Sequence, residues 1–228
     1  MEQHLPINTR FQALWKFKPN AMSSKQHTDP TQGTCYFLTF NTVDWVDIFI
    51  RPVYKQIIVH SLNHFIEHKG LTVYAWCLMT NHLRLLAQVG GNDTIADTEK
   101  EFKSFTTKKI VEAIHTEPSV RKHWMLRHFE TSRNILGLLK KTHIWQSSHL
   151  PVPIDLDKKD LLIEHFDSIH ASPVRDRIVD TDCDYLYSSA RDYSDMQGLV
   201  HITKLPLIDQ QLTRSDTTSS FFGKFVRN

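Results

Sequence analysis

The chain has 228 residues, 40% of them hydrophobic and 23% charged, with a formal net charge of +2 when histidine is neutral. This is ordinary globular composition, sufficient for one core or for one core with an appendage, and so small a net charge says little about partners. The three cysteines, Cys35, Cys77 and Cys183, are widely spaced and odd in number, which argues against a disulfide framework and against a zinc knuckle.

The sequence also argues against membrane insertion and export. No run of about 18 apolar residues is present, so no transmembrane helix is predicted. The N-terminus "MEQHLPINTRFQALWKF" lacks the charged-then-apolar order of a signal peptide. A reducing, cytoplasmic location is the prediction that follows.

The first structured segments begin after a polar arm. Residues 1–33 are polar and rich in turn formers and predict a loose arm or an irregular cap. "CYFLTFNTV", residues 35–43, is aromatic and β-branched and predicts a strand. "RPVYKQIIVHSLNHFIEHKG" follows, with apolar residues at helical spacing between Pro52 and Gly70, and predicts an amphipathic helix.

A hairpin and a second helix come next. "LTVYAWCLM" and "HLRLLAQV" predict two strands joined by a tight turn at Thr80 and Asn81. "NDTIADTEKEFKSFTTKKIVEAIHT" predicts a helix with an apolar side. Its other side carries four lysines: Lys100, Lys103, Lys108 and Lys109.

The second half of the chain is less regular. Residues 117–142 are basic and predict a partly helical stretch, and "HIWQSSHLPVPIDL" predicts extended or loop structure. "DKKDLLIEHFDSIHAS" predicts a third clear helix with Asp157 as N-cap and an end before Pro173. "DYLYSSARDYSDMQGL" predicts a turn with a short helix, and residues 203–228 have the composition of a tail.

The order β-α-β-β-α, with a later helix and extended pieces, indicates the fold class. It predicts an α+β protein with an antiparallel sheet and helices packed on one face. The ferredoxin-like sheet is the natural candidate for this order of elements.

Five segments in register suggest a family. "YFLTFNTVDWVDIF", "YAWCLMTNHLRLL", "IWQ", "FDSIHASPV" and "YLYSSARDY" together resemble the single-tyrosine HUH transposases, in the branch of REP-associated tyrosine transposases. The resemblance covers most of the chain, from about Cys35 to His201, and places a transposase-like HUH domain at residues 34–202. It implies a ferredoxin-like fold, a homodimer, and action on single-stranded or hairpin DNA with a divalent metal, Mg²⁺ or Mn²⁺.

The chemistry that the resemblance implies needs two histidines on one strand. Residues i and i+2 of a strand point to the same face, so a His-hydrophobic-His sequence presents two imidazoles to one metal ion. Such an ion polarises the scissile phosphate, and a tyrosine on a facing helix attacks it to form a covalent phosphotyrosine.

This chain departs from that pattern at three positions. The strand reads His82-Leu83-Arg84, so His82 is the remaining ligand, while Arg84 has no lone pair to offer a metal. The nucleophilic tyrosine corresponds to Ser168, whose shorter side chain would not reach a phosphate placed for tyrosine. One helical turn on, the asparagine of the metal site corresponds to Ser172. The metal is therefore predicted to be weakly held or absent, and cleavage to be impaired or lost.

Other residues are candidates for DNA contacts or for replacement chemistry. Glu164 and His165 lie near Ser168 and are considered as substitute metal ligands, with solvated helix residues as the alternative. Trp45, Trp124 and Trp145 could stack on unpaired bases or belong to the core. Phosphate contacts are predicted for Arg84, Lys103, Lys108, Lys109, Arg121, Lys122 and Arg127, against the alternative of a solvated face or a surface salt bridge.

Three hypotheses follow from these observations. The first is a transposase-family protein that binds single-stranded or hairpin DNA and has lost most or all strand transfer. The second is an active metal-dependent endonuclease or transposase that uses substitute residues. The third is a ferredoxin-like regulatory module with no nucleic-acid role, which failure to bind DNA at low salt would favour.

Overall fold

Four strands form one antiparallel sheet in the computed structural model, which describes residues 34–91, 93–116, 120–129, 142–147, 150–155 and 158–206. The strands are β1 (Cys35–Asn41), β2 (Leu71–Leu78), β3 (His82–Val89) and β4 (Val152–Ile154). Their order across the sheet is β2-β3-β1-β4, so β1 and β3 are central. This is the order expected when two β-α-β units interleave, as in a ferredoxin-like sheet.

The hairpin of β2 and β3 is confirmed, since Leu78 pairs with Leu83 across the Thr80-Asn81 turn. β4 falls within the segment predicted as extended or loop, and it pairs with β1 at the sheet edge. Pro153 is tolerated there because an edge strand has one side that needs no backbone donor.

Six helices accompany the strands among the described residues. The two long ones are α1 (Pro52–His68) and α2 (Ile95–Thr116), and α3 (Lys122–Phe129) follows them. α4 (Lys159–His170) is the predicted third clear helix, and the short α5 (Ser172–Arg175) and α6 (Ala190–Tyr193) complete the set. The predicted first strand is shorter than expected, because a tight 3₁₀ turn at Val43–Trp45 replaces its end.

The first face of the sheet carries the larger apolar core. Alternate residues of β3, Leu83, Leu85 and Ala87, are at most 2% exposed and pack with side chains from α1 and α2. Phe65 of α1 and Phe102 of α2 meet there with ring centroids 5.3 Å apart. Burial of this surface is the main term that holds the two long helices to the sheet.

The second face carries a smaller core under α4. Leu162, Phe166 and Ile169 of α4 pack with Leu86 of β3 and with Tyr193 of α6. Tyr193 also donates a hydrogen bond from its hydroxyl to the carbonyl oxygen of Tyr74, at 3.0 Å. The predicted α+β fold with an antiparallel sheet and packed helices is therefore confirmed. The helices pack on both faces, and not on one as predicted, because α4 has its own apolar side to bury.

Three of the predicted features lie wholly or partly outside the described residues. The N-terminal arm, the N-cap at Asp157 and the tail beyond residue 206 belong to segments that the structure does not describe. Within the described part of the chain, no helix combines the length and apolarity needed to cross a membrane.

Candidate functional site

The candidate site lies where the polar end of β3 meets the C-terminal end of α4. β3 alternates, so Leu83 enters the first core while His82 and Arg84 project to the second face. α4 covers that face through Phe166 and Ile169. The three positions at which the sequence departs from the family pattern are therefore brought to one place by the fold.

Arg84 joins the strand directly to the helix. Its Nη1 donates to the hydroxyl oxygen of Ser172 at 3.2 Å and to the carbonyl oxygen of Ser168 at 3.4 Å. The Ser168 carbonyl is among the last of α4, where backbone carbonyls lack helical partners and the helix dipole favours a positive charge. Arg84 thus caps α4 from the neighbouring sheet.

Both serine hydroxyls donate to backbone carbonyls of α4. The Ser168 hydroxyl donates to the carbonyl oxygen of His165 at 2.8 Å, and the Ser172 hydroxyl donates to the carbonyl oxygen of Ser168 at 2.8 Å. A serine nucleophile needs a base that accepts its proton. The proton of Ser168 is instead directed to a peptide carbonyl, which is no base.

The hydrogen bonding of His82 is compatible with the tautomer that binds metals through Nε2. Its Nδ1 lies 2.9 Å from Oδ1 of Asn81, and its Nε2 is buried with no hydrogen-bond partner. When Nδ1 donates its hydrogen to Asn81, the lone pair is left on Nε2, as in histidines that bind metals. Burial and the adjacent Arg84 lower the pKa of His82 to about 4, so the ring is neutral near pH 7.

Electrostatics around Arg84 oppose a metal ion at this place. Burial, then the nearby Arg175, lower the pKa of the Arg84 guanidinium, although it stays charged. The resemblance implies metal-site residues at three positions, His82, Arg84 and Ser172. His82 alone keeps the residue that the family pattern has there, and Arg84 adds a fixed positive charge. The residues present therefore do not fit the metal that the resemblance implies.

The candidates for substitute ligands do not assemble a second metal site. His165 stacks on Phe37 with ring centroids 4.5 Å apart, and Glu164 is exposed on the same helix. Among the described residues, no group of three or more His, Cys, Asp or Glu side chains is arranged to hold a metal ion.

Buried side chains behind the site are structural. Tyr185 is buried and its hydroxyl donates a hydrogen bond to the carbonyl oxygen of Leu78 at 2.8 Å. Cys35 and Cys77 are buried thiols, and burial raises the pKa of each to about 12. Neither thiol is a nucleophile near neutral pH.

The basic side chains of α2 and α3 for which phosphate contacts are predicted differ in whether the protein already supplies a partner for them. Lys103 donates to Glu99 at 2.6 Å and to the carbonyl oxygen of Gln146 at 3.2 Å. Lys109 pairs with Glu112 at 3.4 Å, and Lys122 donates to the carbonyl oxygen of His115 at 2.6 Å. The exposed cations of the set are Lys108, Arg121 and Arg127. A DNA role for each of them stays a prediction.

The three tryptophans separate into one core residue and two surface residues. Trp145 is 4% exposed and donates from Nε1 to the Thr106 hydroxyl at 2.8 Å, so it belongs to the core and is not available to stack on bases. Trp45 and Trp124 are 55% and 42% exposed. The Arg121 guanidinium lies 4.9 Å from the centroid of the Trp124 ring, an arrangement that keeps a positive charge beside an aromatic face.

Sequence reasoning missed Arg175. Its Nη2 donates to the Ser172 hydroxyl oxygen at 3.2 Å, so it joins the site beside Arg84. The prediction that helical structure ends before Pro173 hid it, because α5 restarts at Ser172 with the proline in its first turn. The usable signal was the i, i+3 spacing of Ser172 and Arg175.

Known structures are similar to this one, although the sequence matches no protein-family model and no curated protein. A REP-associated tyrosine transposase, solved bound to a REP hairpin, superposes with a TM-score of 0.50 and 18% identity, over 81% of this chain and 96% of the other. A suspected transposase of Deinococcus radiodurans R1 gives a TM-score of 0.40 and 14% identity, over 65% of this chain and all of the other, which is too distant to support an argument. The chain therefore has a transposase-like fold.

Proposed function

We propose that this protein binds single-stranded or hairpin DNA and does not cleave it at the site formed by β3 and α4. The observation that carries the proposal is the hydrogen bond from Arg84 to Ser172. It joins two of the altered positions where the family resemblance implies a metal. The similarity to a transposase solved with a hairpin supports DNA as the partner.

Loss of cleavage follows from the chemistry of the residues. A phosphotyrosine cannot form without a tyrosine, and the Ser168 hydroxyl donates its hydrogen to a carbonyl oxygen, which cannot take up the proton. The guanidinium of Arg84 can neutralise a phosphate, but it cannot coordinate a metal. The fold around these residues keeps two buried apolar cores, so a surface for DNA can persist without the reaction.

The test is one incubation of the purified chain with hairpins taken from DNA that flanks its own gene, in Mn²⁺. Half of the sample is run on a native gel and half on a denaturing gel. We expect a shifted band on the native gel and no band that survives denaturation. A covalent band in the wild type would overturn the loss of cleavage, and absence of any shift at low salt would overturn DNA binding.

A matched variant makes the negative result interpretable. The triple substitution Arg84→His, Ser168→Tyr and Ser172→Asn returns all three positions to the residues that the family pattern implies. A covalent band in this variant, with none in the wild type, would show that these positions decide the chemistry. The predicted homodimer is a separate proposal, tested by light scattering of the same preparation.

A further inference from the structure

Two arginines converge on one hydroxyl at the end of α4. Nη1 of Arg84 and Nη2 of Arg175 each lie 3.2 Å from Oγ of Ser172. Ser172 directs its own proton to the carbonyl oxygen of Ser168, so its oxygen accepts from both guanidiniums. The two cations are therefore held together although they repel each other.

No carboxylate compensates this pair directly. Within the described residues, neither Arg84 nor Arg175 has a carboxylate at ion-pair distance. Burial and then Arg175 lower the pKa of the Arg84 guanidinium, and the Asp176 carboxylate opposes them by raising it. Like charges gathered with no carboxylate at ion-pair distance are unfavourable, and an anion bound between them would relieve the repulsion.

Unused donors remain at the same place. Nε of Arg84 is buried and has no partner. A guanidinium has five N–H donors in a rigid fork that matches the oxygens of a phosphate, and Arg84 directs one nitrogen to the protein contacts described above. Arg175 is exposed, which leaves an approach from solvent to the pair.

We propose that Arg84 and Arg175 form a phosphate clamp that works without a metal ion. Ser172 positions the two guanidiniums by accepting a hydrogen bond from each. The ligand is a phosphodiester of the DNA backbone, so this inference rests on the proposed function and specifies how its site holds DNA. Arginine supplies here, by charge and hydrogen bonds, the phosphate neutralisation for which the family resemblance implies a metal.

The first experiment uses inorganic phosphate as the probe and does not depend on DNA. Thermal unfolding of the wild type is followed in EDTA while phosphate replaces chloride at constant ionic strength. At several times its Kd, phosphate is expected to raise Tm by about 2–4 °C. Arg84→Gln and Arg175→Gln are expected to lose this rise.

Arg177→Gln is the matched control. Arg177 is also exposed, lies two residues beyond Arg175, and its loss changes the net charge equally. General stabilisation by phosphate through exclusion from the surface would appear in all variants alike, so a rise that persists in both clamp variants overturns the clamp. Because Arg175 is exposed, its variant keeps the test valid if Arg84→Gln folds poorly.

The second experiment measures hairpin affinity in EDTA and in Mg²⁺. Affinity of the wild type is expected to be equal in the two, and each clamp variant to bind about tenfold more weakly than Arg177→Gln. Equal affinity of all three variants overturns the clamp but leaves DNA binding standing, and loss of wild-type binding in EDTA overturns metal independence. A phosphate-dependent Tm rise confined to the intact clamp, with no hairpin binding, supports the clamp and refutes the proposed function.

Discussion

Leu85 and Arg84 are neighbours on β3, but they belong to opposite faces of the sheet. Leu85 is 2% exposed in the core under α1 and α2, whereas Arg84 is half-buried and bonds to the end of α4. The first face of β3 is apolar along its whole length, whereas on the second face Leu86 lies between the polar residues Arg84 and Gln88. The apolar face can therefore stabilise the fold while the residues of the other face, and with them its possible chemistry, change.

The largest expected effect is on the first face. Leu85→Ala should lower the free energy of unfolding by about 2–5 kcal/mol, because it leaves a cavity in a packed core. Urea unfolding measures it. The folded fraction should keep its hairpin affinity, since Leu85 faces away from α4. A loss below about 1 kcal/mol would contradict the assignment of this face as the main source of stability.

The second largest effect is the pH dependence of stability that arises from His170, on the second face of the sheet. His170 is buried against Phe166 and Tyr193, and burial lowers its pKa to about 3. The folded pKa lies below the unfolded value of 6.5, so its contribution is complete above pH 6.5 and is lost as pH falls toward 3. The expected slope is about 1.4 kcal/mol per pH unit.

Urea titrations at pH 7, 6 and 5 measure this slope, and His170→Gln is the comparison. The variant should be less stable at pH 7, because it disrupts the 2.7 Å contact between Nε2 and the Ser189 hydroxyl. Its stability should also fall less steeply below pH 6.5. Other titrating groups are common to both proteins, so parallel curves would show that His170 does not carry the dependence.

A smaller effect concerns a single hydrogen bond on the first face. Thr106→Val removes the acceptor for Nε1 of Trp145 and leaves that buried donor unpaired. The expected loss is about 1–3 kcal/mol in the free energy of unfolding, with no change in hairpin affinity. Urea unfolding and the native gel provide the two readouts. Reduced hairpin affinity at an unchanged free energy of unfolding would contradict the assignment of Trp145 to the core.

The smallest effect is on the outer surface of α2 and separates two lysines. Lys108 is exposed, whereas the charge of Lys103 is paired with Glu99. If the proposed function holds, Lys108→Gln should reduce the slope of log affinity against log salt by about 1, and Lys103→Gln should change it less. Hairpin titrations at several salt concentrations measure the slope. The reverse order would contradict this assignment of the surface.

The sequence by itself determined β1, β2, β3 and the two long helices, because their apolar periods of two and of about 3.6 residues are local properties. It also determined which residues depart from the family pattern, since Arg84, Ser168 and Ser172 are read directly from the chain. Pairing of β2 with β3 followed from a short turn, which leaves few alternatives.

Tertiary structure alone decided which groups meet. Arg84 and Ser172 are separated by 88 residues, and no local period encodes their contact. The same is true of Trp145, whose burial depends on Thr106 in α2. Arg175 entered the site because α5 restarts the helix at Ser172, against the expected end at Pro173. Long-range packing fixes such positions, since each depends on how separate elements dock and not on the propensity of any one of them.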